Sequence, residues 1–369
     1  MRVEKLCLTD FRNIRTAEIE PHPGVNMFIG ENAQGKTNAL ESLWLFSGGR
    51  SFRGSKDAEL PRLGCDKATV KGTFFTEGRT QEAVITVDKR RHVSVNDIDQ
   101  PAMNKIVGKF PAVVFFPDHL FLIKEGPEGR RRFMDAALCQ IRPAYLQILA
   151  NYNRVLEQRN ALIKNWRNAP DDAMWEVFTL KLAQCGQQIV KERLNYTESL
   201  RKTAVLQYHG LSGGRETLSL EYEPKQEYEK LSEQEIGETL FRSLIDHRQN
   251  DFDAGYTTVG PHREDLVVKI DGLSARHFGS QGQQRSAVLA LKLAEAEILK
   301  DTVGESPMVL LDDVMSELDV TRQEYIVTRL KDWQVFITCC DGGSVLPKVA
   351  GKRFHVKHGE ITETETEES

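Results

Sequence analysis

Residues 30–37 read GENAQGKT, two glycines with four residues between them followed by a lysine and a threonine. Those types at that spacing suit a loop that grips phosphate. Gly30 and Gly35 permit backbone angles that aim successive N–H groups inward, and the intervening Glu31, Asn32, Ala33 and Gln34 complete the turn. Lys36 adds a positive charge between the β- and γ-phosphates, and Thr37 offers a hydroxyl to Mg²⁺. Residues 25–29 read as a strand and 38–46 as a helix, so the strand–loop–helix context is in place and a helix N-terminus faces the anion. Nucleotide binding follows, with Lys36 as the catalytic cation.

Such a loop needs a metal-holding acid at the end of a neighbouring buried strand. Residues 308–313, MVLLDD, supply four apolar residues and then Asp312 and Asp313. Asp312 is expected to hold Mg²⁺ through water, and Asp313 to face the attacking water as general base or to orient it. Residues 316–319, SELD, form a second acidic turn at a helix start. A third motif, FGSQGQQR at 278–285, sets Ser280, Gly282 and Gln283 at the beginning of an Ala-rich helix, where N–H groups, helix dipole and hydroxyl again receive an anion.

The elements that must carry these residues can be read from hydrophobic period. The first 30 residues alternate in the strand manner, and 67–95 continue as an antiparallel meander. Residues 112–116 give another short strand. From 142 to 167 a helical seam runs through Tyr145, Leu149, Tyr152, Leu156 and Ile163, with Arg159 as its one interruption. After a break at 168–172 a second seam runs to Leu200, and the two helices are expected to pair antiparallel. The acids of 216–238 read as a solvated face. Alternation returns at 265–271, then a helix over 281–300, an apolar strand at 308–311, a helix near 321–330 and a strand over 334–338. That order predicts a buried parallel sheet. The tail ETETEES is expected to be disordered.

Length and charge bound the remaining readings. A chain of 369 residues has room for two lobes, and its net charge of −5 demands a local basic surface for any nucleic-acid partner. Its apolar runs are far shorter than the roughly 18–20 residues of a membrane helix, so no membrane partner is expected. The start has no apolar signal region, which points to the cytoplasm. Six cysteines without metal-ligand spacing read as reduced, mostly buried thiols, against structural zinc or a disulfide framework.

Taken together the motifs resemble the ABC-type ATPases: GENAQGKT is similar to their Walker A, MVLLDD to their Walker B, SELD to their D-loop and GSQGQQ to a divergent signature. Within that class the chain resembles the RecF family of bacterial recombination-repair proteins, through LTDFRNI (8–14), GENAQGKTN (30–38), SGGRSFR (47–53), VFFPDHLFLIKEGPEGRRRFMD (114–135), GPHREDL (260–266), SQGQQRS (280–286) and LLDDVMSELD (310–319). The resemblance implies an α/β fold, an ABC-type P-loop ATPase head with a β-rich N-terminal part plus a second, mainly helical lobe. The head is placed at 1–125 and 250–369 and the helical insertion at 126–249. It also implies a homodimer formed around ATP, in which Ser280, Gly282 and Gln283 of one copy close on the γ-phosphate held by Lys36 of the other. Arg12 and Asn13 are carried over as residues near the nucleotide. Weak, DNA-stimulated ATP hydrolysis, binding to double-stranded and gapped DNA, action with RecR and RecO in loading recombinase, and a place in the SOS response come with the family. The heads of SMC and Rad50 are relatives, with a long coiled coil absent here. The chain departs from the broader class in carrying Asp313 where glutamate is usual, Cys339-Cys340-Asp341 where transporters place a switch histidine, and no clear Q-loop glutamine after Phe116. Thr338 is the candidate γ-phosphate sensor.

Residues 120–169 hold nine Lys/Arg against four Asp/Glu. Arg130, Arg131, Arg132, Arg154, Arg159 and Arg167, with Arg50, Arg53, Lys56 and Arg62 of the earlier segment, are the expected DNA contacts, lining a groove when two heads meet. Competing readings are a transporter ATPase subunit, which would carry a closer signature, a glutamate after Asp312 and a switch histidine; a P-loop nuclease, which needs a further acidic domain; and a repair scaffold that does not hydrolyse ATP.

Overall fold

Alternating and continuously apolar strands sort into two different sheets. The computed structural model describes residues 1–165, 172–224, 226–228, 230–340 and 351–364, and packing divides them into two units. Unit 1 comprises Met1–Leu120, Gln207–Arg215 and Ser286–Ser369, and unit 2 comprises Phe121–Leu206 and Glu216–Arg285. The division drawn from sequence instead put 250–285 in the head; strand Asp265–Ile270 falls in unit 2, paired with strand Leu218–Glu223.

In unit 1 the half-buried strands form an antiparallel six-stranded sheet in the order Ile14–Ile19, Arg2–Phe11, Ala68–Thr76, Arg79–Val87, Arg91–Val95, Ile98–Gln100. Its inward residues, among them Leu6, Val70, Phe74 and Ile85, join one core with helix Lys36–Trp44. The second sheet runs Glu360–Thr364, Gly351–Lys357, Val25–Ile29, Val335–Cys339, Met308–Leu311, Ala112–Phe115, parallel except for its first pair. Every residue of Val25–Ile29, Met308–Leu311 and Ala112–Phe115 is buried, as strands covered on both faces must be. The expected disorder of the tail is corrected in part. Glu363 and Thr364 close an edge strand, with Glu363 ion-paired to Lys352 at 2.9 Å; its polar composition suits an edge exposed to water and hides it from a hydrophobic pattern. Residues 365–369 lie outside the described residues.

Unit 2 is mainly helical. Helix Pro143–Asn165 and the 41-residue helix Asp172–Ser212 carry the predicted seams. Arg142 meets Glu192 and Arg159 meets Thr179, so the pairing is antiparallel. Arg167 and the break at 168–171 lie outside the described residues. The acidic stretch is more than a solvated face: it contains strand Leu218–Glu223, buried Tyr228, and helix Glu233–Asp246, opened by a reciprocal Ser232–Glu235 capping box.

The segment 260–266, GPHREDL, is a hub of unit 2. Arg193 donates to the carbonyl of Pro261 at 2.6 Å and forks onto Asp135, and Arg130 forks onto Asp265. The Nε2 of His262 lies 3.0 Å from the carbonyl of Thr257, which can only accept, so the Tyr152 hydroxyl donates to Nδ1 at 2.6 Å and the ring is neutral. Burial pushes this histidine from 6.5 down to about 4. A depressed folded value means stability that is present above the unfolded pKa and lost as pH falls toward the folded one. Unfolding in urea is therefore expected to be easier by about 2 kcal/mol at pH 5 than at neutral pH from this group. His262→Gln should remove that part of the pH dependence; an unchanged slope in the variant would place it elsewhere.

Candidate nucleotide-phosphate site

Parallel pairing brings the carboxyl ends of three buried strands to one edge of the second sheet. Met27 is in register with Ile337, and Ile337 with Leu311. The loop after Val25–Ile29, the acids after Met308–Leu311 and the residues closing Val335–Cys339 consequently converge, where open α/β sheets take their ligands.

The phosphate-binding loop has the backbone its sequence demands. Gly35 sits at φ 120° and Ala33 at φ 63°, and a Cβ on Gly35 would lie 2.7 Å from the Asn13 side-chain oxygen. No side chain caps helix Lys36–Trp44, whose first-turn N–H groups have no intrahelical acceptor. Lys36, 3% exposed, donates to the carbonyls of Gly30 at 2.6 Å and Glu31 at 3.1 Å. Its ammonium is thus held over the loop.

The two acids are held differently. Asp312 Oδ1 accepts from the Thr37 hydroxyl and from the Thr338 hydroxyl, each at 2.8 Å. Burial raises its carboxyl above the usual carboxylate range, against these two donors, which lower it. Asp313 takes the left-handed conformation, φ 50°, and its N–H donates to the same Thr338 oxygen at 2.8 Å. Thr338, the candidate sensor, therefore holds the Asp312 carboxylate and the Asp313 backbone. A hydroxyl and a carboxylate oxygen on one point are hard donors of the kind Mg²⁺ takes. Among the described residues no three acids or imidazoles cluster to make a closed metal cage, so any metal there would share its ligands with phosphate or water.

A shell around the loop positions it. Asn13 donates to the carbonyl of Gln34 at 2.9 Å and accepts from Asn38 at 2.8 Å. Arg12 forks onto buried Glu41 at 2.8 Å through each nitrogen, which places it behind the loop as a brace. Arg53 donates to Asn38 at 3.0 Å and lines, with Arg12, Asn13, Asn38 and Arg62, a cavity of ≈ 490 Å³ beside the loop. Arg53, expected as a DNA contact, is exposed and also bonded to Asn38 next to the phosphate loop. Two further features escaped the sequence reading. The turn at His358 and Gly359 donates backbone N–H groups to the side chain and carbonyl of Gln34, at 2.7 and 2.9 Å. Cys340, exposed while only Cys139 of the six cysteines is buried, donates to Asn32 at 3.0 Å. Its neighbour Asp341 lies outside the described residues.

Ser280, Gly282 and Gln283 open helix Gln281–Val303 in unit 2. Ser280 and Gln283 cap each other, the Ser280 N–H donating to Gln283 at 2.7 Å and the Gln283 N–H to the Ser280 hydroxyl at 3.2 Å. The expected DNA contacts divide. Arg50, Lys56, Arg132 and Arg154 are exposed, and Arg131 is half-buried, donating to the carbonyl of Glu264 at 2.8 Å. Arg130 and Arg159 are corrections. They are 5% and 0% exposed and ion-paired with Asp265 and Asp251, each at 2.7 Å, so neither guanidinium is available to a phosphate.

Residues 2–358 match the family model described as the RecF/RecN/SMC N terminal domain. The DNA replication and repair protein RecF of Alkaliphilus oremlandii is 40% identical over 341 residues, covering 92% of this chain and 93% of its own. That of Lysinibacillus sphaericus is 36% identical over 368 residues, covering 98% and 99%. Among solved structures, the recombination mediator protein RecF-ATPrS in the RecFOR pathway superposes with a TM-score of 0.91 at 36% identity over 98% of each chain. The Smc head bound to the C-terminal winged-helix domain of ScpA gives 0.59 at 16% identity over 100% of this chain and 98% of its own, a likeness of fold.

Proposed function

The chain belongs to the RecF family of DNA replication and repair proteins, with the ABC-type ATPase head fold, and we propose that it is an ATP-switched clamp on DNA. The observation that carries this reading is the convergence of Lys36, Thr37, Asp312, Asp313 and Thr338 at one sheet edge. The loop N–H groups and Lys36 bind the β- and γ-phosphates of ATP, and the cavity at Arg12, Asn13 and Asn38 takes its nucleoside. Thr37 and Asp312 are the residues that would hold Mg²⁺, which when bound neutralises charge developing on the phosphate oxygens. Asp313 orients or deprotonates the attacking water.

Ser280, Gly282 and Gln283 then act on a second copy, completing its γ-phosphate site, so that ATP joins two chains and weak, DNA-stimulated hydrolysis parts them. The clamp forms in the cytoplasm on double-stranded DNA at gaps and acts with RecO and RecR in loading recombinase. Support for the partners comes from the relative that belongs to the RecFOR pathway. Among the described residues no helix is long and apolar enough to cross a membrane.

Size-exclusion chromatography tests the clamp. Non-hydrolysable ATP should convert monomer to dimer, and duplex DNA should co-elute with the dimer. A Ser280→Arg chain should bind ATP yet remain monomeric. An elution volume indifferent to nucleotide would remove the switch.

A further inference from the structure

Three loops of unit 1 that are distant in sequence meet around one arginine whose side chain is 8% exposed. Arg91, at the base of the hairpin joining Arg79–Val87 to Arg91–Val95, donates to the carbonyl of Gly49 at 2.5 Å and pairs with Asp57 at 3.0 Å. It ties the hairpin turn to both ends of the 49–57 loop. The segment after residue 102 reaches the same place: a Cβ on Gly48 would lie 2.4 Å from a Val107 methyl carbon and 3.2 Å from its Cα. Around this junction Arg50 and Lys56, Lys89 and Arg90, and Lys105 and Lys109 are all exposed, and exposed Arg53 shares the first loop.

The acids of the same loops are engaged locally. Asp57 pairs with Arg91, the Asp88 carboxylate accepts the Arg90 N–H at 2.9 Å, and that of Glu59 accepts the Lys56 N–H at 3.2 Å. Those six cations therefore stand against three acids, each with one oxygen already engaged. The expected DNA contacts included only the first pair.

We propose that this three-loop face of unit 1 is a contact surface for the phosphate backbone of duplex DNA. It rests on the reading of the chain as a DNA clamp and deepens it, since burial of Arg130 and Arg159 leaves the helical unit with less of the expected charge. Long cationic side chains on loops suit phosphate contacts independent of sequence. A rigid duplex can meet all three loops at once.

The test is fluorescence anisotropy with a labelled random-sequence duplex and the full chain, with non-hydrolysable ATP, across a salt series. Lys89→Glu with Arg90→Glu, and separately Lys105→Glu with Lys109→Glu, should each weaken binding about tenfold and flatten the plot of log affinity against log salt by about one to two units. The Gln versions should show the same trend with less effect, and melting temperatures matching wild type confirm the fold. Wild-type affinity and slope in both variants would overturn the assignment while leaving the clamp reading intact. A wild-type chain that binds no duplex at all would overturn both.

Discussion

Asp313→Asn is expected to slow ATP turnover roughly 10²–10⁴-fold, the usual contribution of a positioned general base, while ATP still binds. Asparagine is the informative replacement because Asp313 sits at φ 50°, a conformation that Asn and Asp tolerate better than most residues. Its backbone N–H would keep the 2.8 Å bond to Thr338, so the loss reports on the carboxylate and not on a moved chain. Asp312→Asn should fail differently. An amide oxygen there can still accept from Thr37 and Thr338, but the negative charge beside Thr37 is gone, so Mg²⁺-dependent ATP affinity should fall along with turnover. Binding by fluorescent nucleotide and single-turnover hydrolysis together separate the neighbours. Unchanged turnover in the Asp313 variant would exchange their roles, and no turnover in the wild type would favour the non-hydrolysing scaffold.

What could be read from sequence was what is local. GENAQGKT is a strand–loop–helix unit whose geometry is set by residues within a few positions, and MVLLDD is a buried strand that ends where its acids leave the core. Parallel register then brings them together without further instruction. The supports of that site were not readable, because they arrive from far along the chain. The turn at 358–359 braces Gln34 more than three hundred residues away, and its strands offer only the short alternation of Phe354, Val356 and Ile361 among polar residues. Arg53 shows the limit of charge as evidence. Its charge reads as a DNA contact, and only the fold reveals that the same exposed side chain also bonds Asn38 next to the phosphate loop.

Arg159 carries that limit furthest, and its replacement is the second large expected effect. It interrupts a helical seam, and sequence read it as a DNA contact; the structure buries it and Asp251 completely, with Thr257 and Thr179 accepting at 2.7 and 3.1 Å. Burial weakens its hold on its proton and Asp251 strengthens it, so the pair is sustained by geometry. Arg159→Met should cost about 3–5 kcal/mol in urea unfolding, because it strands a buried carboxylate. Asp251 also accepts from the Thr258 N–H at 2.8 Å and its hydroxyl at 2.6 Å, so the second substitution should be Asn, which keeps an acceptor for both. The double variant should then recover part of the loss by removing the unpaired charge. A single-variant cost under about 1 kcal/mol would put the pair with ordinary surface ion pairs. DNA binding supplies the complementary readout. Arg159→Met should leave its salt dependence unaltered in chain that remains folded, since no phosphate can reach the side chain. Arg154, exposed on the same helix and bonded to nearby Asn151, should behave in the opposite sense, with its loss leaving stability near wild type. Position relative to the helix seam, and not charge, decides which arginine holds the fold and which meets solvent.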